Sequence, residues 1–242
     1  VDMARMKIEF LHQYHRQRGY SFNDKLIAYL PRYAPWATKM PWLFNVRESF
    51  PMLRGVFERA LGFASQRSLP RWRSDVFLRS LSPQRGERVG VTGQEVVLFV
   101  DTFTNYFEPE NARAAQRVLE AAGYDVKIVR ATDGDRPLCC GRTFLATGMI
   151  AALAPYADRG VPIIGLEPSC LYTLKDEMQV MKLGAKVAAI GKSAMLFEEF
   201  LAHEQAAGKL RLALQPIRAK RALLHGHCHQ KAFGAMSAVE QT

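Results

Sequence analysis

Four cysteines and three closely spaced histidines hold most of the chemistry available to this sequence. The cysteines fall in three phrases: Cys139-Cys140-Gly141, Glu167-Pro168-Ser169-Cys170 and His225-Gly226-His227-Cys228-His229. If the three phrases converge in space, their thiolates can hold an iron–sulfur cluster, whose potential is then set by hydrogen bonds and burial. Gly141 would let backbone approach such a cluster, and a helix N-terminus there would favour its negative charge. Zinc is a second use, because His225, His227 and His229 flank Cys228 and zinc accepts mixed Cys/His sets. A redox-active disulfide between Cys139 and Cys140 is a third, although adjacent cysteines close a strained ring. Each cysteine taken alone is more often a small buried apolar residue than a ligand. The histidines alternate at a spacing of two and share a face only if a strand continues through them, which a turn at Gly226 opposes. One or two of them, His227 and His229, are expected near a metal.

These phrases sit where a particular architecture would bring them together. Val96-Val97-Leu98-Phe99-Val100 is a short continuous apolar run, as expected of a strand buried on both faces. Pro109 opens a helix that runs to Ala122 and is ended by Gly123. Val126–Val129 and Val161–Leu166 read as further strands, Arg142–Ala154 as a helix between them, and segments around 171–181 and 193–207 as helices. Ala222-Leu223-Leu224-His225 reads as a fourth strand. The alternation predicts an α/β fold, a parallel sheet with helices on both faces. In such a sheet ligands sit beyond the carboxyl ends of the strands, and the cysteine phrases fall there. The first strand ends instead in Asp101-Thr102-Phe103-Thr104-Asn105.

The sheet is preceded by an irregular, mostly α-helical segment over 1–82. Residues 3–18 read as one helix, and a second follows Ser21, a suitable cap, stopping before Pro31. From Pro31 to Arg73 the chain is apolar, arginine-rich and broken by prolines, and Trp36, Trp42, Phe44 and Phe50 need a partner surface. Residues 83–93 read as a polar linker and 94–242 as the α/β domain. The net charge of +10 is concentrated early: residues 1–90 hold 16 Lys+Arg against 7 Asp+Glu, and the remainder 17 against 16. Such a segment suits docking onto acidic protein surfaces or lipid headgroups. It lacks the clustered bases and interleaved aromatics of a nucleic-acid site, apart from Arg67, Arg71, Trp72 and Arg73, so no nucleic-acid partner is expected. Four cysteines in 242 residues exclude a disulfide scaffold, and 48% hydrophobic residues exclude intrinsic disorder. No apolar run reaches the roughly 20 residues that span a bilayer, and the charged opening does not read as a signal peptide. A cytoplasmic protein is expected, with peripheral association at the inner face of the membrane as the alternative. The opening at Val1 suggests a fragment or processed product.

Cys-Cys-Gly after a βαβ unit, Ser-Cys after the next strand and a later His-x-Cys-His together resemble the cysteine-rich CCG domain. That domain occurs in heterodisulfide reductase and in iron–sulfur subunits of anaerobic glycerol-3-phosphate dehydrogenase and glycolate oxidase. The phrases Asp101-Thr102-Phe103-Thr104-Asn105-Tyr106-Phe107-Glu108-Pro109 and Gly165-Leu166-Glu167-Pro168-Ser169-Cys170 are similar to one branch. It comprises bacterial FAD-linked oxidases of the D-lactate and D-2-hydroxyglutarate dehydrogenase type, which fuse flavin, ferredoxin-like and CCG regions. The opening Val1-Asp2-Met3-Ala4 resembles the segment that follows the ferredoxin-like domain.

The resemblance implies an electron-transfer module, carrying electrons from a flavin toward a quinone or redox protein. In the intact protein Cys139, Cys140, Cys170 and Cys228 would ligate or line a 4Fe-4S type cluster, with Gly141 beside it. FAD would lie in a domain outside this chain: Gly86, Gly90 and Gly93 precede the first strand, the wrong context for a dinucleotide loop. The partners would be the flavin and ferredoxin-like domains of the same polypeptide or complex, and the chain alone would be inert as a dehydrogenase. Two departures stand out. Asp101-Thr102 occupies a strand end where the family usually has cysteine, and only 14 residues follow Cys228, too few for a second Cys-Cys-Gly. A truncated domain is expected, its thiols free or holding an adventitious metal. The alternatives are a zinc-binding or metal-free docking module and a thiol–disulfide catalyst using Cys139 and Cys140.

Overall fold

A computed structural model describes residues 3–81, 93–131, 137–138, 146–180, 184–215, 221 and 223–242. The chain divides into two compact units, Val1–Trp72 and Arg73–Thr242.

The first unit holds helices α1 (Met3–Arg18), α2 (Phe22–Ala28), α3 (Leu30–Ala37), α4 (Pro41–Phe44), α5 (Val46–Ser49) and α6 (Pro51–Leu61). Their starts follow from local chemistry. Ser21 Oγ accepts the Asp24 N–H while the Asp24 carboxylate accepts the Ser21 N–H, a reciprocal box that begins α2. Pro31, Pro41 and Pro51 lie in the first turns of α3, α4 and α6, where a missing N–H costs nothing. Much apolar surface stays exposed, including Trp36, Trp42 and Met52. The unit is held by polar groups as well. Arg47 is buried and donates to the carbonyls of Ala64 and Arg67 and to Glu48, which also accepts from Arg54 and from the Leu69 N–H. The Asn45 amide pairs with both backbone groups of Trp72 at 2.8 Å, and the Tyr33 and Phe44 rings flank its indole. The segment after α6 is thereby fastened back onto α5.

The second unit runs α7 (Phe77–Ser80), β1 (Glu95–Phe99), α8 (Thr102–Tyr106), α9 (Pro109–Ala121), β2 (Asp125–Ile128), α10 (Ala146–Ala157) and β3 (Ile163–Gly165). It continues through α11 (Pro168–Lys175), α12 (Glu177–Val180), α13 (Ala185–Ser193), β4 (Ala194–Leu196), α14 (Phe197–Ala206), α15 (Cys228–Ala232) and α16 (Met236–Gln241). The four strands are parallel in the order β2-β1-β3-β4. Side chains alternate across β1 as a strand's period of two requires. Val97 and Phe99 join Met149 and Leu153 of α10, Leu171 and Leu174 of α11, and Val187 and Ile190 of α13. Val96, Leu98 and Val100 join Phe77 and Leu78 of α7, Ala112, Ala115 and Leu119 of α9, and Phe200 of α14. The sheet is therefore covered on both faces, as the apolar runs predict.

Residues 73–81 belong with the sheet. The Leu78 N–H donates to Asn105 Oδ1 and its carbonyl accepts from Arg130 Nη2, both at 2.9 Å. Helix α9 ends where the sequence places its stop: Gly123 takes φ 91°, and the Tyr124 N–H returns to the Leu119 carbonyl. Gly165 answers a different need. A Cβ there would lie 2.6 Å from Leu171 Cδ1, so only glycine lets β3 run so closely under the helix that follows it.

The edge strand differs from the sequence reading. The fourth strand is Ala194–Leu196, inside a stretch read as helix, whereas Leu223–His225 have no regular structure and are exposed. Ala194 and Leu196 point inward beside Ile163 and Gly165, and the Leu196 N–H is taken by Glu199 Oε2 at 2.8 Å, which starts α14. Three residues are too few to show period-two alternation, and the acidic cap made the run look like the start of one longer helix. Helix α13 was likewise not read from the sequence.

Candidate functional site

The chain leaves the two central strands in opposite directions. From β1 it turns toward α9 on one face, and from β3 toward α11 on the other. Between the carboxyl ends of two such strands an open α/β sheet has its crevice. Phe99 pairs with Gly165, so Asp101 and Glu167 stand at the same level, each two residues beyond that pair. Both begin helices. Asp101 caps α8 by accepting the N–H groups of Phe103 at 2.7 Å and Thr104 at 3.1 Å and the Thr104 hydroxyl. Burial pushes its carboxyl above the ordinary aspartate range and the charge of Glu167 adds to this, while the three donors pull it down. Glu167 caps α11 by accepting the Ser169 N–H at 3.2 Å.

Cys170 lies buried in the first turn of α11 and Cys228 is the exposed first residue of α15. A hydrogen bond joins the segments that carry them: Ser169 Oγ and His227 Nε2 are 3.3 Å apart. The donor can be assigned. His227 Nδ1 accepts the backbone N–H of His229 at 3.2 Å, so that nitrogen is bare, and the proton of a neutral ring sits on Nε2 and points at Ser169. The His227 backbone N–H donates to Gln230 Oε1 at 2.9 Å, and Gln230 Nε2 donates to Glu198 in the first turn of α14. The segments following β3 and β4 are thus tied to α15 through Ser169, His227, Gln230 and Glu198. Burial, reinforced by the neighbouring Glu199, pushes the Glu198 carboxyl up against the pull of its own backbone N–H and of Gln230.

An aromatic wall backs this corner. Tyr172 stacks on Phe233 with centroids 4.5 Å apart and planes 7° apart, and His229 meets its edge at 6.2 Å. Burial, reinforced by Glu199 and Glu198, pushes the Tyr172 phenol above its ordinary value. Among the described residues, Tyr172 Oη and His229 Nδ1 are buried without a hydrogen-bond partner.

Of the residues singled out in the sequence, the structure thus places Cys170, His227, Cys228 and His229 in one corner. His225 is exposed in the irregular segment before it. Cys139, Cys140 and Gly141 lie outside the described residues, among which no three His, Cys, Asp or Glu side chains gather as a metal site. Two thiols, Cys170 packed in the apolar core and Cys228 exposed, sit on segments that the Ser169–His227 bond fastens together. Asp101 does not suit it, because its oxygens are engaged in capping α8. Ser169, Gln230, Glu198 and Tyr172 were not picked out from the sequence. Only Ser169, beside a cysteine and after an acid–proline helix start, carried a local signal.

Along most of its length the chain is similar to curated dehydrogenases. It is 23% identical over 94% of its residues to D-2-hydroxyglutarate dehydrogenase of Escherichia coli K12, covering 23% of that protein. With the Pseudomonas putida protein of the same name it shares 27% identity over 74% of its residues and 19% of the relative. With one subunit of the anaerobic glycerol-3-phosphate dehydrogenase of E. coli K12 it shares 24% identity over 79% of its residues, covering 49% of that relative. The chain spans less than a quarter of the D-2-hydroxyglutarate dehydrogenases it matches. No family model matches it, and no solved structure matches it significantly. At this level of likeness it is related to oxidoreductases that act as dehydrogenases or serve as a subunit of one. No helix of the described residues is long and apolar enough to cross a membrane.

Proposed function

We propose that this chain is the electron-transfer module of a flavin-dependent D-2-hydroxy-acid dehydrogenase of the D-lactate or D-2-hydroxyglutarate type. The observation that carries the reading is the Ser169–His227 bond, which draws the Cys170 and Cys228 segments together at the carboxyl edge of the sheet. The relatedness to D-2-hydroxyglutarate dehydrogenases and to part of a glycerol-3-phosphate dehydrogenase supports the same direction. Cys170 and Cys228 would hold an iron–sulfur centre together with Cys139 and Cys140, and Gly141 would leave room beside it. Such a centre takes up and releases one electron at a time. The chain's own part is to supply thiolates, to bury one side of the site with Cys170 and the Tyr172–Phe233 stack, and to leave Cys228 facing outward. Flavin and ferredoxin-like domains would deliver the electrons, and a quinone or redox protein would receive them.

The test is anaerobic iron–sulfide reconstitution of the intact protein and of its Cys170→Ser and Cys228→Ser variants, with iron analysis and visible spectra. The parent protein should bind iron and absorb broadly in the visible, and each variant should lose part of that absorption. Stoichiometric zinc without a chromophore would replace this reading with a structural one. Full iron retention in both variants would overturn the ligand assignment.

A further inference from the structure

We infer that Ser169 and His227 form a latch that sets the spacing of the Cys170 and Cys228 thiols, and that His227 is a positioning residue rather than a metal ligand. The inference rests on the thiolate-site reading above and specifies what holds that site in shape. Both ring nitrogens of His227 are committed: Nε2–H to Ser169 Oγ at 3.3 Å and Nδ1 to the His229 N–H at 3.2 Å. A metal at either nitrogen would have to break one of these bonds. The two bonds act on both cysteines at once, because Ser169 directly precedes Cys170 and His227 directly precedes Cys228. The first holds the start of α11 against the start of α15. The second caps α15, so it fixes the direction in which Cys228, the first residue of that helix, leaves the backbone.

Further contacts stiffen the latch from behind. Gln230 accepts from the His227 backbone N–H and donates to Glu198, and it is itself 7% exposed. Gly226, immediately before the latch, is buried against the Met236 side chain. The imidazole is therefore held at its backbone, by its cap and at its tip. Ser169 and His227 would act on the cysteines through the backbone they share, and loss of residues that orient ligands typically weakens metal binding by about 10–100-fold.

Cobalt(II) is the probe, since its thiolate complexes give near-ultraviolet charge-transfer absorption that reports cysteine ligation directly. The reduced chain and its Ser169→Ala, Ser169→Thr, His227→Ala, Cys170→Ser and Cys228→Ser variants are titrated under anaerobic conditions, with melting by circular dichroism in parallel. Ser169→Ala and His227→Ala should weaken the charge-transfer titration by about 10–100-fold. Ser169→Thr, which keeps the hydroxyl, should restore it to within about threefold, a rescue that a general loss of packing would not give. Ser169→Ala should melt only roughly 2–4 °C below the parent, the worth of one partly buried hydrogen bond in a unit of this size. Parent-like cobalt binding by Ser169→Ala alongside loss in the cysteine variants would overturn the latch and leave the thiolate site standing. Parent-like binding by both cysteine variants would overturn the thiolate site and the latch together.

Discussion

Replacing Asp101 by alanine tests whether this residue is a helix cap or a stand-in for a cysteine ligand. Its carboxylate takes the N–H groups of Phe103 and Thr104 and the Thr104 hydroxyl, and the side chain is 1% exposed. Phe103 is half exposed, so its freed N–H can turn to water, but Thr104 is buried and its N–H would be stranded. A stranded buried amide costs about 1–3 kcal/mol and a lost cap about 0.5–2 kcal/mol, partly offset because a buried carboxylate is removed at the same time. The expected loss is about 2 kcal/mol, or roughly 4–8 °C for a unit of this size. Far-ultraviolet circular dichroism is the assay, because Trp36, Trp42 and Trp72 all lie in the first unit and their fluorescence reports that unit instead. The pH dependence has a definite sign. Burial leaves the Asp101 carboxyl above its ordinary range, so the folded state keeps a proton that the unfolded chain has released. That contribution is complete below the unfolded value of about 3.9 and is lost as pH rises through the folded one. Relative to Asp101→Asn, the parent chain should therefore lose ground between acidic and neutral pH. An Asp101→Ala variant that melts with the parent but loses reconstituted iron would refute the reasoning, since that is how a ligand behaves. A parent that gains on Asp101→Asn with rising pH would refute the assigned burial effect.

Three further outcomes follow from the packing. Glu48→Gln should destabilise the first unit by about 3–5 kcal/mol in a tryptophan-monitored urea titration, because it leaves buried Arg47 without its charge partner. Burial opposes ionisation of Glu48, but the Leu69 N–H, Arg47 and Arg54 outweigh it and hold its carboxyl below the ordinary range. Stability from Glu48 should thus be present above the unfolded value of about 4.3, fade as pH falls through the folded one, and be absent from the variant. Leu171→Ala, which empties a fully buried position between β3 and the sheet's helices, should cost about 2–5 kcal/mol by circular dichroism. Tyr124→Phe removes the phenol that donates to buried Glu204 at 2.6 Å and should cost about 1–3 kcal/mol in the same melt; an unchanged midpoint would mean water replaces it.

The sequence was informative where one residue type had one physical meaning. The run Val96–Val100 has the pattern of a strand buried on both sides and β1 covers most of it, and Pro109 and Gly123 bracket α9 as an N-terminal proline and a left-handed glycine should. Ser21 is legible as a cap, and the structure adds Asp24 as its reciprocal partner. Legibility failed where tertiary pairing decides. Ala194–Leu196 become a strand only because β3 offers an open edge, and Leu223-Leu224, apolar enough for a strand, find no such edge. Helix α8 was missed because its five residues have no periodicity, although Asp101-x-x-Thr104 is a capping pattern. At the candidate site the cysteines announced themselves, but what fastens them did not. Ser169 and His227 are 58 positions apart, and no local rule pairs a serine with a histidine across that distance.

That separation also dictates when the corner can form. Bringing two points 58 residues apart together costs about 4 kcal/mol of chain entropy, whereas a hydrogen bond returns about 1 kcal/mol. The Ser169–His227 contact therefore cannot lead folding. It must wait until β4 and α14 are in place and the packing of α16 against α14 brings the histidines round. By this argument Cys228 takes its place beside α11 only after the sheet's carboxyl edge is built, so the corner is a late addition to the fold.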